Sequence, residues 1–584
     1  MINIIIANKL KLSSMKQIIE QAIKKVLKEL GIKPVKFIVE HPENMAWGDY
    51  STNVGIIISS NKDTPSLRKG VSFKICAALK TEESMKKLAS EISVAGAGFI
   101  NISIKNEALI TLTNKVLKGN WEGQTPLCQG FGGARKIMVE FAHPNTHKEL
   151  HIGHMRTLIV GESLSRILTI AGATVFRANY QGDIGPHVAK SIWGTEKILK
   201  ERKLTLGQAE KLELSEKAHL LGEGYVLGNQ EYAANKADID QLNIQLYQHD
   251  SSMEKIYQRT RQWSLDYYDQ FYQRFDTKFD QLFFESQVAE EGKKIVLANV
   301  GKVFSKSQGA VVFEGEKYGL HTRVFVTKDG NSTYEAKDMA LGPAQFKAFP
   351  FDQCIHVVAN EQTGYFQVII KALELIDKKF IGREYHLPMG MVNLVGKKIS
   401  SRTGEIITVD GLLEEVKELL KPLAKDKEAL EAVTVGAVKY SVLKTGCEQN
   451  VAFDPKKSVS LEGNSGPYLQ YTFARARSVL EKAGLRGRTL QADKVGPCQP
   501  EEEILLRTLY RYEEVVVEAA ENLAPNKIAE FLYDLAQKFN GFYNKHRVIG
   551  SGEAEPFRLW LTQATAEILK QGLGLLGISA PEKM

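Results

Sequence analysis

The chain has 584 residues, 43% hydrophobic and 25% charged, the proportions of a soluble globular protein with material for several cores. Lys and Arg outnumber Asp and Glu by 76 to 69, a mild basic bias that permits a polyanionic partner without requiring one. The five cysteines, at 76, 128, 354, 447 and 498, form no CxxC pair; they read as free thiols in a reducing compartment and argue against a cysteine-based zinc site. The apolar start MINIIIANKLKLSSMKQ has neither a basic region before it nor a small-residue cleavage site after it. With no run of the ~20 apolar residues that span a membrane, a cytoplasmic protein is expected.

Residues 1–115 read as a separate α+β unit. MKQIIEQAIKKVLKELGI (15–32) has the spacing of an amphipathic helix stopped by Gly31, VKFIVEHP reads as a strand, and GDYSTNVGIIIS and GAGFINISIKNEAL are glycine-punctuated turns. GQTPLCQGFGGARK (123–136) is a connector. Strand KIMVEFA, loop HPNTHKEL, helix HIGHMRTLIVGESLSRILTIAG and strand ATVFRANY then form a βαβ unit, the start of a doubly wound, Rossmann-like parallel sheet. A polar helical insertion follows over about 190–275, and strands resume at GAVVFEG, TRVFVTKDG, CIHVVAN and LPMGMVNLV. From about 408 the chain is nearly all helical, with aromatics interleaved with Arg and Lys. The division is 1–115, a Rossmann-like domain over 116–455, and an all-α bundle over 456–584.

Four of the twelve histidines fall within HPNTHKELHIGHMR, at 143, 147, 151 and 154, offsets that would line one helical face. Pro144 disfavours a helix through His143, Gly153 interrupts the last pair, and no HExxH is present, so a metal site is disfavoured. A strand–loop–helix turn offers unpaired N–H groups and a partial positive charge, Gly153 lets a ligand approach the backbone, and His151 and His154 flank it as donors. That suits a phosphate at the carboxyl edge of the sheet; a loop with chance histidines carries equal weight on these four letters alone. LVGKKISSRTGEIITVDGLL (394–413) adds Lys397, Lys398, Ser400, Ser401 and Arg402 as a second cluster of phosphate donors.

HIGH and KISSR resemble the HIGH and KMSKS pair of class I aminoacyl-tRNA synthetases. VEFAHPNTHKELHIGHMRTLIVGESLSRIL is similar to the arginyl-tRNA synthetases, in which a PN loop precedes HIGH. GDYSTNV and GAGFINI resemble that family's N-terminal tRNA-contacting domain, and LEGNSGPYLQYTFARARSVL and GLGLLGISAPEKM its helical anticodon-binding domain. His143 stands where the family often has Ser or Asn. Ser401 replaces the second KMSKS lysine, for which Lys148 is placed to compensate. EQTGYF (361–366) differs from the more usual His-rich version around Gln362.

The resemblance implies a ligase that activates L-arginine with ATP and Mg²⁺, releases pyrophosphate, and transfers arginine to tRNA(Arg), with no zinc and a monomer expected. His151, His154, Lys148 and Lys398 would be catalytic, and His151, Gly153, His154, Lys398, Ser400 and Ser401 would hold ATP. Glu140, His143, Asn145, His154, Tyr334, Asp338 and Gln362 would hold arginine, with Tyr334 and Asp338, one helical turn apart, on the guanidinium and Glu140 behind. Tyr468, Tyr471, Phe473, Arg475 and Arg477 would meet the tRNA; the aromatics read equally as bundle core. Rival readings are a synthetase for glutamate, glutamine or cysteine, and an RNA-binding protein with a dead synthetase core.

Overall fold

Apolar runs such as 137–139 need cover on both faces, and a parallel sheet between helices supplies it. The computed structural model describes residues 15–59, 65–117, 135–396, 408–423, 425–492 and 498–584. The chain forms two units. One comprises Leu127–Tyr471, Ala519–Glu530 and Gly572–Met584; the other comprises Met1–Pro126, Thr472–Glu518 and Phe531–Gln571.

In the second of these units, the helix Met15–Glu29 buries Met15, Ile19, Ala22, Ile23, Val26 and Leu27, the face that the spacing predicts. Ile32 N–H returns to Leu27 O at 2.9 Å around Gly31 at φ 68°, a glycine-closed helix end. Strands β1 (Val39–Glu40), β2 (Tyr50–Thr52), β3 (Ala89–Ala95) and β4 (Phe99–Ile104) form an antiparallel sheet in the order β1-β2-β4-β3. The GDY segment has a structural task. Asp49 accepts from Ile104 N–H at 2.6 Å and pairs with Arg507, while Tyr50 donates to Glu514 at 2.8 Å.

The other unit carries a five-stranded parallel sheet of β5 (Lys136–Glu140), β6 (Thr174–Gln181), β7 (Gln281–Phe284), β11 (Gln353–Ala359) and β12 (Glu384–Met389). Their order, β12-β11-β5-β6-β7, reverses between β5 and β11, and ligands bind such folds at the carboxyl ends beside that reversal. Helix Ile152–Ile170 crosses from β5 to β6 and packs closely: a Cβ on Gly161 would lie 2.1 Å from the Phe141 ring. The insertion is helical from Pro186–Glu201 through Ser251–Arg274.

Three local features are not legible in the sequence. GAVVFEG and TRVFVTKDG do not extend the parallel sheet. They supply β9 (Ala310–Phe313) and β10 (Arg323–Val326), which join β8 (Ser305–Ser307) in an antiparallel ribbon. The edge strand β7 has no signal in sequence because its four residues give too short a pattern. LPMGMVNLV is two strands, β12 and β13 (Val392–Leu394), broken at Gly390, where a Cβ would lie 2.3 Å from Gln449 O; β13 pairs with β14 (Val451–Phe453).

Candidate active site

The loop from 141 to 150 leaves the carboxyl end of β5 in an unusual conformation. Ala142, His143 and His147 all have positive φ, at 79°, 52° and 64°. Residues with a Cβ avoid that region, so surrounding contacts must hold them there. The helix Ser251–Arg274 provides those contacts. Ser264 Oγ accepts from His147 N–H at 2.8 Å, Thr260 Oγ1 lies 2.8 Å from His147 Nε2, and Tyr268 donates to Asn145 O and Lys148 O at 2.6 and 2.8 Å. The four histidines therefore do not share a helical face. His147 is a buried brace, and burial pushes its pKa down to about 3.

His151 caps the helix Ile152–Ile170. Its Nδ1 accepts from Gly153 N–H at 3.1 Å and His154 N–H at 3.4 Å, so its proton sits on Nε2. The first-turn N–H groups that the sequence offers to a phosphate are thus partly taken by a side chain. The space that Gly153 leaves is filled by the same ring, since a Cβ there would lie 2.8 Å from His151 Cε1. The His154 ring stacks on His151 at 3.7 Å between centroids. Burial, then the Lys148 charge, pushes His151 down to about 4; burial also lowers His154, so both are neutral donors.

Two cavities open beside these residues. The first, about 420 Å³, is lined by Glu140, His143, Asn145, Tyr334, Asp338 and Gln362, six of the seven residues expected to hold arginine. The seventh, His154, lines the second cavity of about 600 Å³ with His151 and Gly153. His143 and Gln362 line both. His143 Nε2 and His154 Nδ1 are buried without a hydrogen-bond partner.

Helix Tyr334–Ala348 supplies the acidic wall of the first cavity. Tyr334 sits exposed at its start, and Asp338 accepts from Tyr365 Oη at 2.7 Å. Burial pushes the Asp338 carboxyl up to about 8, against the Tyr365 hydrogen bond and with the help of the Glu140 charge. Glu140 is buried yet pushed down to about 2. Burial opposes this, but the His356 charge and hydrogen bond, His143 and Gln345 outweigh it.

Lys148 lines neither cavity; its ammonium lies 4.0 Å from the centre of the Tyr225 ring. Lys398, Ser400 and Ser401 lie outside the described residues. The Thr408 backbone bridges to His151, and Val409 N–H donates to Leu150 O at 3.1 Å.

Among the expected tRNA contacts, Phe473 is corrected: at 1% exposure it is core and has no face for a base. Arg475 donates to Asn540 at 2.6 Å, and Arg477 lies 3.9 Å from Glu567. Tyr471 is exposed and Tyr468 half-buried.

Several residues around the two cavities belong to no motif of the sequence. Arg156, 2% exposed, gives its guanidinium to the carbonyls of Gly390, Met391, Gly446, Cys447 and Gln449, shaping one wall of the second cavity. His356 on β11 and Glu384 on β12 line the first cavity with Gln345. A histidine and a glutamate within otherwise apolar strands were the available signal, because buried polar groups require partners. Cys354, His356 and Glu384 have ligand-type atoms within 4.8 Å of one another. Both His356 nitrogens are already taken by carboxylates, and burial pushes the Cys354 thiol up to about 12, so these groups are committed to each other.

Three family profiles match in chain order: the arginyl tRNA synthetase N terminal domain over 13–104, the tRNA synthetases class I (R) catalytic domain over 124–454, and the DALR anticodon binding domain over 469–584. With HIGH beside the strand-order reversal of a parallel sheet, they define a class I tRNA synthetase. The arginine–tRNA ligase of Treponema denticola is 30% identical over 581 residues, 95% of this chain and 96% of that protein. That of Bacteroides fragilis is 29% identical over 529 residues, 83% of this chain and 86% of that protein. The solved arginyl-tRNA synthetase of Thermus thermophilus aligns at a TM-score of 0.78 and 26% identity over 98% of this chain and 100% of that one. The chain belongs to the arginine–tRNA ligase family.

Proposed function

We propose that the two cavities divide the work of arginine–tRNA ligation. The reaction joins L-arginine to tRNA(Arg) in two steps, adenylation by ATP and then transfer to the terminal adenosine. The first cavity takes the arginine side chain, with its guanidinium against Asp338, Tyr334 at the rim and Glu140 behind. Asn145, Gln362 and His143 hold the α-amino and carboxylate groups. The second cavity takes ATP, which brings Mg²⁺ as part of the substrate. His151 and His154 meet the α-phosphate as neutral donors beside Gly153, while Lys398, Ser400 and Ser401 serve the departing pyrophosphate; Lys148 compensates for the lysine that Ser401 replaces by turning from the Tyr225 ring toward the phosphates.

The observation that carries this reading is the wall shared by the two cavities: His143 and Gln362 line both. A carboxylate held there faces an α-phosphate held by HIGH, so one oxygen attacks phosphorus as pyrophosphate leaves. Catalysis is then positioning and charge stabilisation, without a covalent enzyme intermediate. Tyr468, Tyr471, Arg475 and Arg477 serve the tRNA, with 1–115 and 456–584 as the tRNA-binding segments of a cytoplasmic monomer. Among the described residues no helix is long and apolar enough to cross a membrane.

The test is amino-acid-dependent ATP–pyrophosphate exchange across all twenty amino acids, with and without tRNA(Arg). Arginine alone should support exchange, and only with tRNA present. Exchange driven by glutamate, glutamine or cysteine, or none with any amino acid, would overturn the reading.

A further inference from the structure

The first cavity is also lined by His356, Glu384 and Gln345, which the arginine contacts above do not use. His356 lies between two carboxylates, with Nδ1 2.9 Å from Glu140 Oε1 and Nε2 2.8 Å from Glu384 Oε2. An ionised carboxylate only accepts, so both ring nitrogens must donate and the ring is an imidazolium. Gln345 Nε2 donates to the other Glu140 oxygen. Glu140, His356 and Glu384 together then carry one net negative charge.

Glu384 Oε1 is buried without a hydrogen-bond partner, and so is Gln345 Oε1. The Glu384 side chain is 3% exposed, and its Oε1 would lie 3.8 Å from a Cβ on Gly342. Gly342 is one turn beyond Asp338 on the same helix face, and Gln345 follows one turn later. Two unpaired acceptors therefore belong to residues that line the same cavity as Asp338. A buried acceptor without a donor is costly, and a guanidinium has five donors and one positive charge.

We propose that Glu384 is a second substrate carboxylate, whose Oε1 accepts an N–H of the arginine guanidinium in the first cavity, with His356 as the positioning residue that aims Glu384 through its Nε2 contact. Gln345 Oε1 accepts a further N–H. The guanidinium neutralises the net charge of the trio, and an uncharged ureido group cannot. This rests on the first cavity being the arginine site.

The test uses the full chain with tRNA(Arg), varying L-arginine in ATP–pyrophosphate exchange and adding L-citrulline, the uncharged isostere, as competitor. Glu384→Gln should raise the arginine KM about tenfold or more, the scale of losing a charged hydrogen bond. Its kcat should stay within about threefold, its ATP KM should be unchanged, and the preference for arginine over citrulline should narrow by the same factor. An arginine KM within about twofold of the parent, or an unchanged preference over citrulline, overturns the proposal. If that variant does not fold, His356→Gln carries the same test: the same narrowing is expected, and an unchanged preference overturns it. Absence of arginine-dependent exchange in the parent would instead overturn the reading of the reaction.

Discussion

Tyr365 donates its phenolic proton to Asp338 Oδ2 at 2.7 Å, which gives this half-buried carboxyl a neutral partner rather than a cation. Burial pushes Asp338 up to about 8, the Tyr365 bond only partly offsets it, and the Glu140 charge adds to the rise. Below that pH the empty site holds a proton on Asp338. A guanidinium favours the carboxylate, so binding arginine expels the proton. Arginine affinity should therefore rise as pH increases toward about 8 and level off above it. The arginine KM in exchange, measured from about pH 6 to about pH 9, reads this directly. Asp338→Asn should flatten this rise and lower kcat/KM for arginine by about tenfold to a hundredfold, the scale of a hydrogen bond to a charged group.

The His151 cap lets a fold role and the proposed catalytic role of HIGH be tested separately. Gly153→Ala favours the helix by up to about 1 kcal/mol, so it should not unfold the protein. The new Cβ would come 2.8 Å from His151 Cε1 and displace a ring that lines the second cavity. Exchange should slow by about tenfold or more with thermal stability retained. His154→Ala, which removes the ring with the unpartnered Nδ1, should slow it by about a hundredfold. A melting curve and an exchange rate on each variant separate the two effects. Gly153→Ala with parental exchange would remove the ring from the mechanism.

What was legible in the sequence was what repeats or what is spelled. The buried face of Met15–Glu29, the βαβ unit and the helical insertion follow from periodicity, which reports burial wherever one side of an element is covered. HIGH was legible as letters, but not that His151 would turn back on its own helix, because a cap depends on rotamer and not on composition. Phe473 was ambiguous for a related reason: an aromatic on a basic helix fits core and base-stacking alike until the neighbouring helices are present. His356 and Glu384 were beyond reach as a pair. They are 28 residues apart and meet only because β11 and β12 run side by side.

Arg156 shows how much of the second cavity rests on one buried cation. Its guanidinium donates to five carbonyls, on 390–391 and 446–449, and burial lowers its pKa only to about 10, so it remains charged. Arg156→Ala leaves those carbonyls without their donor and should cost about 3 kcal/mol or more in unfolding free energy. Arg156→Lys keeps the charge but has three donors in place of the planar fork, and should recover only part of the loss. Denaturant titrations of the two variants should rank them parent, Lys, Ala. A loss under about 1 kcal/mol for Ala would mean the segments hold without the guanidinium.

Tyr268 connects the insertion to the loop that lines both cavities. Its hydroxyl donates to Asn145 O and Lys148 O, within a loop where Ala142, His143 and His147 have left-handed backbones. Each such residue costs about 1–3 kcal/mol unless its surroundings hold it. Tyr268→Phe keeps the ring and removes only the donor, at about 1 kcal/mol in stability. Asn145 and His143 line the first cavity and His143 also lines the second, so relaxing this loop should raise the KM for arginine and for ATP together. A variant that weakened arginine alone would show that the loop serves one cavity and not the shared wall. A variant with both constants unchanged would show that the helix Ser251–Arg274 holds the loop through Thr260 and Ser264 instead.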